Sequence, residues 1–220
     1  PYTTGQTVVA GISASGIGRG SGIVSENGND QYTASGWNSG SLNANDYFEW
    51  TITPNSCREI DFVSFVYTSN RSNGSIANFA FRSSLDGFTN NIGTPTFNGT
   101  TINLNTPAFQ NITAPITFRL YAWGANNAGR TFWINQFTFN GNITVINPTA
   151  DAGAALASIC QGGTSAALGG SVGGSATGGT WSDGGIGGTF SPNATNLNAT
   201  WAPPAAYSGT ATLTLTRCRW

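Results

Sequence analysis

The sequence predicts an all-β protein in which an N-terminal jelly-roll β-sandwich precedes a small Ig-like β-sandwich. Short runs of alternating apolar and polar residues recur along the 220-residue chain, and Gly, Asn and Pro separate them. No apolar pattern of helical period lasts for three turns. Hydrophobic residues make up 39% of the chain and aromatic residues 12%, which is enough for a bulky core. Many short strands with turn residues between them are typical of sandwiches and jelly rolls.

The first 115 residues contain several separate strand patterns. In segment 46–54 apolar and polar residues alternate as far as Pro54, which cannot donate a ladder hydrogen bond and therefore ends the strand. Segment 59–68 is almost continuously apolar, as expected for a central buried strand. Further strands are predicted at residues 7–10, at residues 78–83, near Ile102 and near Ile112.

Segment 116–141 contains two aromatic-rich runs on either side of a loop rich in Gly and Asn. This pattern predicts an antiparallel hairpin that closes the sandwich. In the second run Phe132 and Phe139 have opposite parity along the chain. Both can face the core only if a β-bulge lies near Asn135 and Gln136, so we expect one there.

The composition changes at residues 146–149. The first 148 residues hold 21 of the 26 aromatic residues, and the last 72 hold five. We therefore predict a jelly-roll domain at 1–146 and an Ig-like or PKD-like domain at 149–220. The predicted core of the second domain comprises Ile159, Leu168, Trp181, Phe190, Leu197, Trp201, Leu213 and Leu215.

The charge content excludes several classes of function. Only 8% of residues are charged, the net charge is −1, and the eight basic residues form no stripe, so we expect no nucleic-acid partner. No apolar run reaches the 18 residues of a membrane span, so we expect no membrane insertion. The chain has no His, which removes the commonest acid–base residue and excludes Ser-His-Asp chemistry. We do not expect an enzyme.

Calcium is the one metal that the sequence leaves open, and we expect no other cofactor. Jelly-roll modules often hold calcium through Asp, Asn and backbone oxygens. The candidate ligands are Asp30, Asp46 and Asn135. The alternative is that these residues are solvated or cap turns.

A sugar-binding platform is predicted on three aromatic residues, Tyr67, Tyr121 and Trp123. Their parity is opposite to the main apolar set of their strands, so they face away from the core. An exposed aromatic ring stacks on the C–H face of a sugar while polar neighbours bond its hydroxyls. The alternative is that other parts of the sandwich cover them.

Four motifs follow one another along the chain: SGIGRGSGI (15–23), YTASGWNSGSLNANDYFEWTITP (32–54), FRSSLDGF (81–88) and FRLYAWGANNAGRTFWINQFTFNG (118–141). In this order they resemble the jelly-roll modules of large secreted proteins from gliding bacteria. The resemblance covers most of residues 5–146, and residues 149–216 resemble the Ig-like or PKD-like repeats of the same proteins. It implies a secreted, cell-surface protein that is exported by type IX secretion and acts as an adhesin or an extracellular multidomain protein. It supplies no catalytic motif.

The sequence departs from this family at two places. Cys57 stands where such modules usually have a small residue, and it is either a small buried residue or an intermolecular link. The second module ends at a strand where another strand is expected. Either the chain continues beyond Trp220 or another chain supplies the strand by donor-strand addition. The candidate donor segment comprises Thr7, Val8, Val9 and Ala10.

A disulfide is predicted between Cys160 and Cys218. Outside the cell two such cysteines pair more readily than they remain free. Closing a loop of this length stabilises a small Gly-rich module by about 4 kcal/mol in the chain-entropy model.

Together these patterns predict a non-catalytic extracellular protein with a structural or adhesive role in a cell-surface stalk, filament or adhesin. Its expected partners are copies of itself, end to end, or a surface polysaccharide. The alternative is a carbohydrate-binding module that uses exposed aromatic residues.

Overall fold

A computed structural model describes residues 1–72 and 76–218, apart from the side chain of Cys218. The chain folds as two compact units, Pro1–Val145 and Ile146–Trp220. Both units are built from antiparallel strands, and the helical elements of the described part are the short 3-10 turns Ser84–Asp86 and Pro107–Phe109. The predicted all-β class is confirmed. No helix in the described residues is long and apolar enough to cross a membrane.

The first unit is a jelly-roll sandwich of two antiparallel sheets. Sheet I has the order β1-β5-β9-β7 with β2 beside β5, and sheet II has the order β3-β4-β10-β6-β8. From β4 to β10 successive strands alternate between the sheets, and β10 lies between β4 and β6, as in a jelly roll. The strands are β1 (Ile12–Ala14), β2 (Gly18–Arg19), β3 (Val24–Glu26), β4 (Tyr32–Ser35), β5 (Tyr47–Pro54), β6 (Arg58–Arg71), β7 (Asn78–Ser83), β8 (Gly99–Asn103), β9 (Ile116–Trp123) and β10 (Phe132–Val145).

Aromatic rings from both sheets fill the space between them. Phe65 of sheet II lies 4.7 Å from Phe81 and 5.0 Å from Trp50, both in sheet I, between ring centroids. It also lies 4.5 Å from Phe139 in its own sheet. These residues occupy the inward positions of strands that alternate as the sequence predicts, and packed aromatic pairs stabilise the core beyond the area they bury.

The bulge predicted in the last strand of this unit is confirmed. The register of β10 against β6 shifts between Ile134 and Gln136. Phe132 is fully buried before the shift, and Phe139 packs on the core after it. The extra residue at Asn135 therefore lets residues of both parities face inward.

The predicted hairpin at 116–141 is wrong. Strand β9 pairs with β5 and β7 in sheet I, whereas β10 pairs with β4 and β6 in sheet II. The connecting loop crosses from one sheet to the other, where Gly124 N donates to Ser39 O and Ala125 N donates to Trp37 O. Alternation identified both strands, but it carries no information about which strand each one pairs with.

The predicted opening strand is also wrong. Residues 7–10 lie outside the strands of the described chain, and the first strand begins at Ile12. The side chains of Val8 and Val9 are 41% and 60% exposed, so no sheet covers them. Near Ile112 there is a single bridge to Ile60 in place of the expected strand.

The second unit has a smaller core beneath short strands. In the described residues they form the antiparallel pairs β11–β12, β13–β16 and β14–β15. Four of the eight predicted core residues are buried, three more (Phe190, Leu197 and Leu213) are partly buried against them, and Ile159 is 36% exposed. The Ig-like description of this unit stays a prediction. Its strands are β11 (Thr149–Asp151), β12 (Ser171–Gly173), β13 (Gly178–Ser182), β14 (Thr189–Ser191), β15 (Thr200–Ala202) and β16 (Thr214–Cys218), and the buried predicted residues are Leu168, Trp181, Trp201 and Leu215.

Candidate functional site

The outer face of sheet I carries a cluster of arginine and aromatic side chains. Alternate residues of β5, β9 and β7 point away from the core there, because the inward positions are occupied by the aromatic core. In the ladder, Glu49 stands opposite Arg119, and Arg119 stands opposite Arg82. We call this surface the arginine face; it comprises Tyr47, Glu49, Arg82, Phe88, Arg119 and Tyr121.

Arg119 lies between two aromatic rings. Its guanidinium carbon is 4.0 Å from the centroid of the Tyr47 ring and 3.9 Å from that of the Phe88 ring. Nε donates to Oε2 of Glu49 at 3.1 Å, and the two side chains are 24% and 31% exposed. Stacking and ion pairing together hold the guanidinium in one orientation at the edge of solvent.

Two side chains of the arginine face, Arg119 and Tyr47, have shifted pKa values. Burial lowers the pKa of Arg119, but hydrogen bonds with Tyr121 and Glu49 outweigh it, so the pKa is raised above its ordinary value. Burial raises the pKa of Tyr47, and the Glu49 carboxylate raises it further. At neutral pH the charged Arg119 guanidinium therefore lies against a neutral Tyr47 phenol.

Arg82 is held by neutral oxygens. Its Nε donates to Oδ1 of Asn91 at 2.8 Å, and Nη1 donates to the Phe88 carbonyl at 2.9 Å. Within the described residues the ion pair of this face joins Arg119 to Glu49, and it does not include Arg82. The face thus holds two guanidinium groups and one carboxylate, and the carboxylate is paired with Arg119.

A tight loop after β7 positions Phe88 and Asn91. Phe88 has a positive φ of 62°, and its N–H donates to Ser83 O at 2.9 Å. Asp86 accepts hydrogen bonds from the N–H groups of Thr89 and Asn90. Slight burial raises the pKa of Asp86, but these bonds outweigh it and lower the pKa, so the carboxylate that braces the loop stays charged.

An open polar depression of about 440 Å³ adjoins the arginine face. Glu49 lines it together with Arg19, Ser21 and Tyr32, and Arg19 Nη1 donates to the Tyr32 hydroxyl at 3.3 Å. The Glu49 side chain is therefore accessible to solvent from this depression as well as from the arginine face.

The predicted aromatic platform is wrong for two of its three residues. Tyr67 and Tyr121 are each 2% exposed, too little to stack on a sugar ring. Tyr67 packs on Phe65 and its hydroxyl bonds to Thr96, whereas Tyr121 lies beneath Tyr47. Trp123, at the end of β9, is half-buried.

The sequence assigned Tyr121 to an outward position, but it missed the groups that cover it. Tyr47 and Glu49 were visible as the outward set of β5. Arg82 and Phe88 gave no signal, because only the pairing of β7 with β9 and the loop after β7 bring them to Arg119.

The three calcium candidates lie on different segments. Asp46 precedes β5 and is buried; its Oδ2 accepts from the Ser39 hydroxyl at 2.6 Å, while Oδ1 has no hydrogen-bond partner among the described residues. Asp30 is exposed in the turn before β4, and Asn135 is exposed at the β10 bulge. The described chain holds no group of three His, Cys, Asp or Glu residues suited to a metal ion. Calcium stays a prediction.

The cysteines lie apart from the arginine face. Cys57 is half-buried in the turn between β5 and β6, and Cys160 is exposed; neither forms a disulfide within the described residues. The side chain of Cys218 lies outside the described residues. The Cys160–Cys218 disulfide therefore stays a prediction.

Comparison with known proteins gave no relatives. No family model matches the chain, and neither the curated proteins nor the solved structures include a match. The likeness to surface modules of gliding bacteria therefore depends on the sequence motifs alone.

Proposed function

We propose that the protein is a non-catalytic extracellular protein with a structural or adhesive role, a modular component of a cell-surface stalk, filament or adhesin. The observation that carries this proposal is the aromatic core that joins the two sheets of the jelly-roll unit. Rings from both sheets converge on Phe65, between ladders that are antiparallel throughout. A densely packed sandwich of this kind suits a part that bears load.

The surface composition supports the same proposal. Asn, Thr, Ser and Gly provide most of the polarity, and only 8% of residues are charged. A surface with few charges repels other copies weakly, which favours close packing of modules along a filament. The expected partners are copies of the chain, end to end, at the surface of the cell that secretes it.

Negative-stain electron microscopy of the purified protein tests this function. We expect rods or chains whose length increases with protein concentration and that survive shear. Dispersed monomers at every concentration would contradict an assembling role. Turnover of a substrate by the pure protein, at a rate that survives repeated purification, would contradict the non-catalytic part of the proposal.

Carbohydrate binding is the second candidate, and the arginine face favours it. The face offers fixed hydrogen-bond donors on Arg119 between the rings of Tyr47 and Phe88, a combination that suits a sugar with polar groups and an apolar face. Trp123 lies on the same outward side of β9 and is half-buried. Titration of glycans with tryptophan fluorescence as the readout tests it: saturable quenching supports binding, and a flat response refutes it.

A further inference from the structure

Two like charges stand directly opposite each other in sheet I. Arg82 of β7 and Arg119 of β9 are register partners, with side chains on the same outer face. Like charges in opposite positions of an antiparallel pair destabilise the sheet. Only eight of the 220 residues are basic, so this adjacency is not the result of a generally basic surface.

Among the described residues only one of these two guanidinium groups forms an ion pair. Glu49 stands opposite Arg119 on the other side and bonds to it at 3.1 Å. Arg82 bonds to the neutral oxygens of Asn91 and Phe88. Along the row across β5, β9 and β7 the side-chain charges are therefore negative at Glu49, positive at Arg119 and positive at Arg82. One further negative group would balance the charge of the row.

The two guanidinium groups are also held in place before any ligand arrives. The rings of Tyr47 and Phe88 fix Arg119, and two hydrogen bonds fix Arg82. Prior ordering lowers the entropy lost on binding, and guanidinium groups match the planar geometry of a carboxylate. A local electrostatic conflict that the fold maintains in this way is typical of a functional surface.

We propose that the arginine face binds an acidic polysaccharide through the carboxylates of its uronic acid residues, an inference that rests on the carbohydrate-binding candidate above. A uronate carboxylate between Arg82 and Arg119 restores alternating charge along the row. Tyr47 and Phe88 are half-buried, and the sides of their rings that do not face Arg119 are the ones that contact the apolar face of the sugar. Charge complementarity selects this ligand class over neutral glycans.

The test measures binding of three probes to the full chain by isothermal titration calorimetry: an oligogalacturonate hexamer, neutral maltohexaose and a hexaglutamate peptide. We expect the oligogalacturonate to bind most tightly, and its affinity to fall as salt is added. R82Q should weaken this binding about tenfold, because it removes a charged hydrogen-bond donor. E49Q should strengthen it, because it removes a repulsive carboxylate.

R130Q is the matched control. Arg130 donates through Nε to Oδ1 of Asn126 at 3.0 Å, much as Arg82 donates to Asn91, but it lies in the loop between β9 and β10. R130Q should leave the affinity unchanged within about twofold. Far-ultraviolet circular dichroism of each variant checks folding, and E49Q keeps the proposal testable if R82Q does not fold.

Each of the other outcomes overturns a distinct statement. Equal binding of oligogalacturonate and maltohexaose, with no effect of R82Q, overturns the acidic ligand but leaves carbohydrate binding. Hexaglutamate binding as tightly as the sugar, or equal losses in R82Q and R130Q, overturns recognition of uronate in favour of charge attraction. No binding of either sugar overturns both this inference and the carbohydrate-binding candidate.

Discussion

Replacement of Tyr67 by Phe should lower the stability of the jelly-roll unit. The Tyr67 hydroxyl donates to the Thr96 carbonyl at 2.8 Å and accepts from the Thr96 N–H at 2.9 Å. Y67F removes both bonds while keeping the ring that packs on Phe65. Because Thr96 is exposed, water replaces part of what is lost, and we expect the free energy of unfolding to fall by about 1–2 kcal/mol.

The same hydroxyl should make the unit sensitive to alkali. Burial raises the pKa of Tyr67 to about 12, against an ordinary value of 10.0. Because the folded-state pKa is the higher one, its contribution is complete below about pH 10 and is lost as the pH rises through 12. Two pKa units correspond to about 2–3 kcal/mol at most. Y67F should abolish this part of the alkaline loss.

Guanidinium unfolding followed by circular dichroism, at pH values from 7 to about 12, measures both effects. Y2F is the control, because Tyr2 is 54% exposed and its ring contact with Tyr32 survives the change. An alkaline stability profile of Y67F that matches the wild type would refute this account of Tyr67.

Two further substitutions test the packing and the charges of the separate units. G22A should cost about 1–3 kcal/mol in thermal unfolding, because a Cβ on Gly22 collides with Oδ1 of the buried Asp46 side chain; G40A, which meets no atom within 4 Å, should be near neutral. Equal effects of the two would contradict this packing. Slight burial raises the pKa of Asp183, but hydrogen bonds from Gly188 and Trp201 outweigh it and lower the pKa below 3.8. The stabilisation by Asp183 is therefore present above about pH 4 and is lost below it. D183N should flatten acid unfolding of the second unit, as measured by hydrogen exchange, and an unchanged acid profile would contradict this.

Local features of this fold were predictable from the sequence because they depend on neighbouring residues. The parity change between Phe132 and Phe139 required a bulge, and the register shift after Ile134 supplies it. Alternation also separated the inward and outward faces of β9. These inferences need only the two-residue period of a strand.

Features that depend on distant pairing were not predictable. The hairpin at 116–141 was a reasonable expectation, but a loop that crosses between sheets has the same composition as one that turns within a sheet. Tyr67 lies on the core side of β6 with Phe65, because a register shift at Val63 changes the parity of that strand. Tyr121 faces outward but lies beneath Tyr47, so simple alternation predicted the burial of neither. The row of Glu49, Arg119 and Arg82 exists only because β9 lies between β5 and β7.

Detachment of protein-coated beads under flow tests in one measurement whether the protein adheres and whether it does so through the arginine face. Beads that carry the wild-type chain are perfused over a surface grafted with polygalacturonate, and beads that carry R82Q serve as the comparison. We expect wild-type beads to remain attached at shear that releases most R82Q beads. Release of both at the same shear would contradict adhesion through this face.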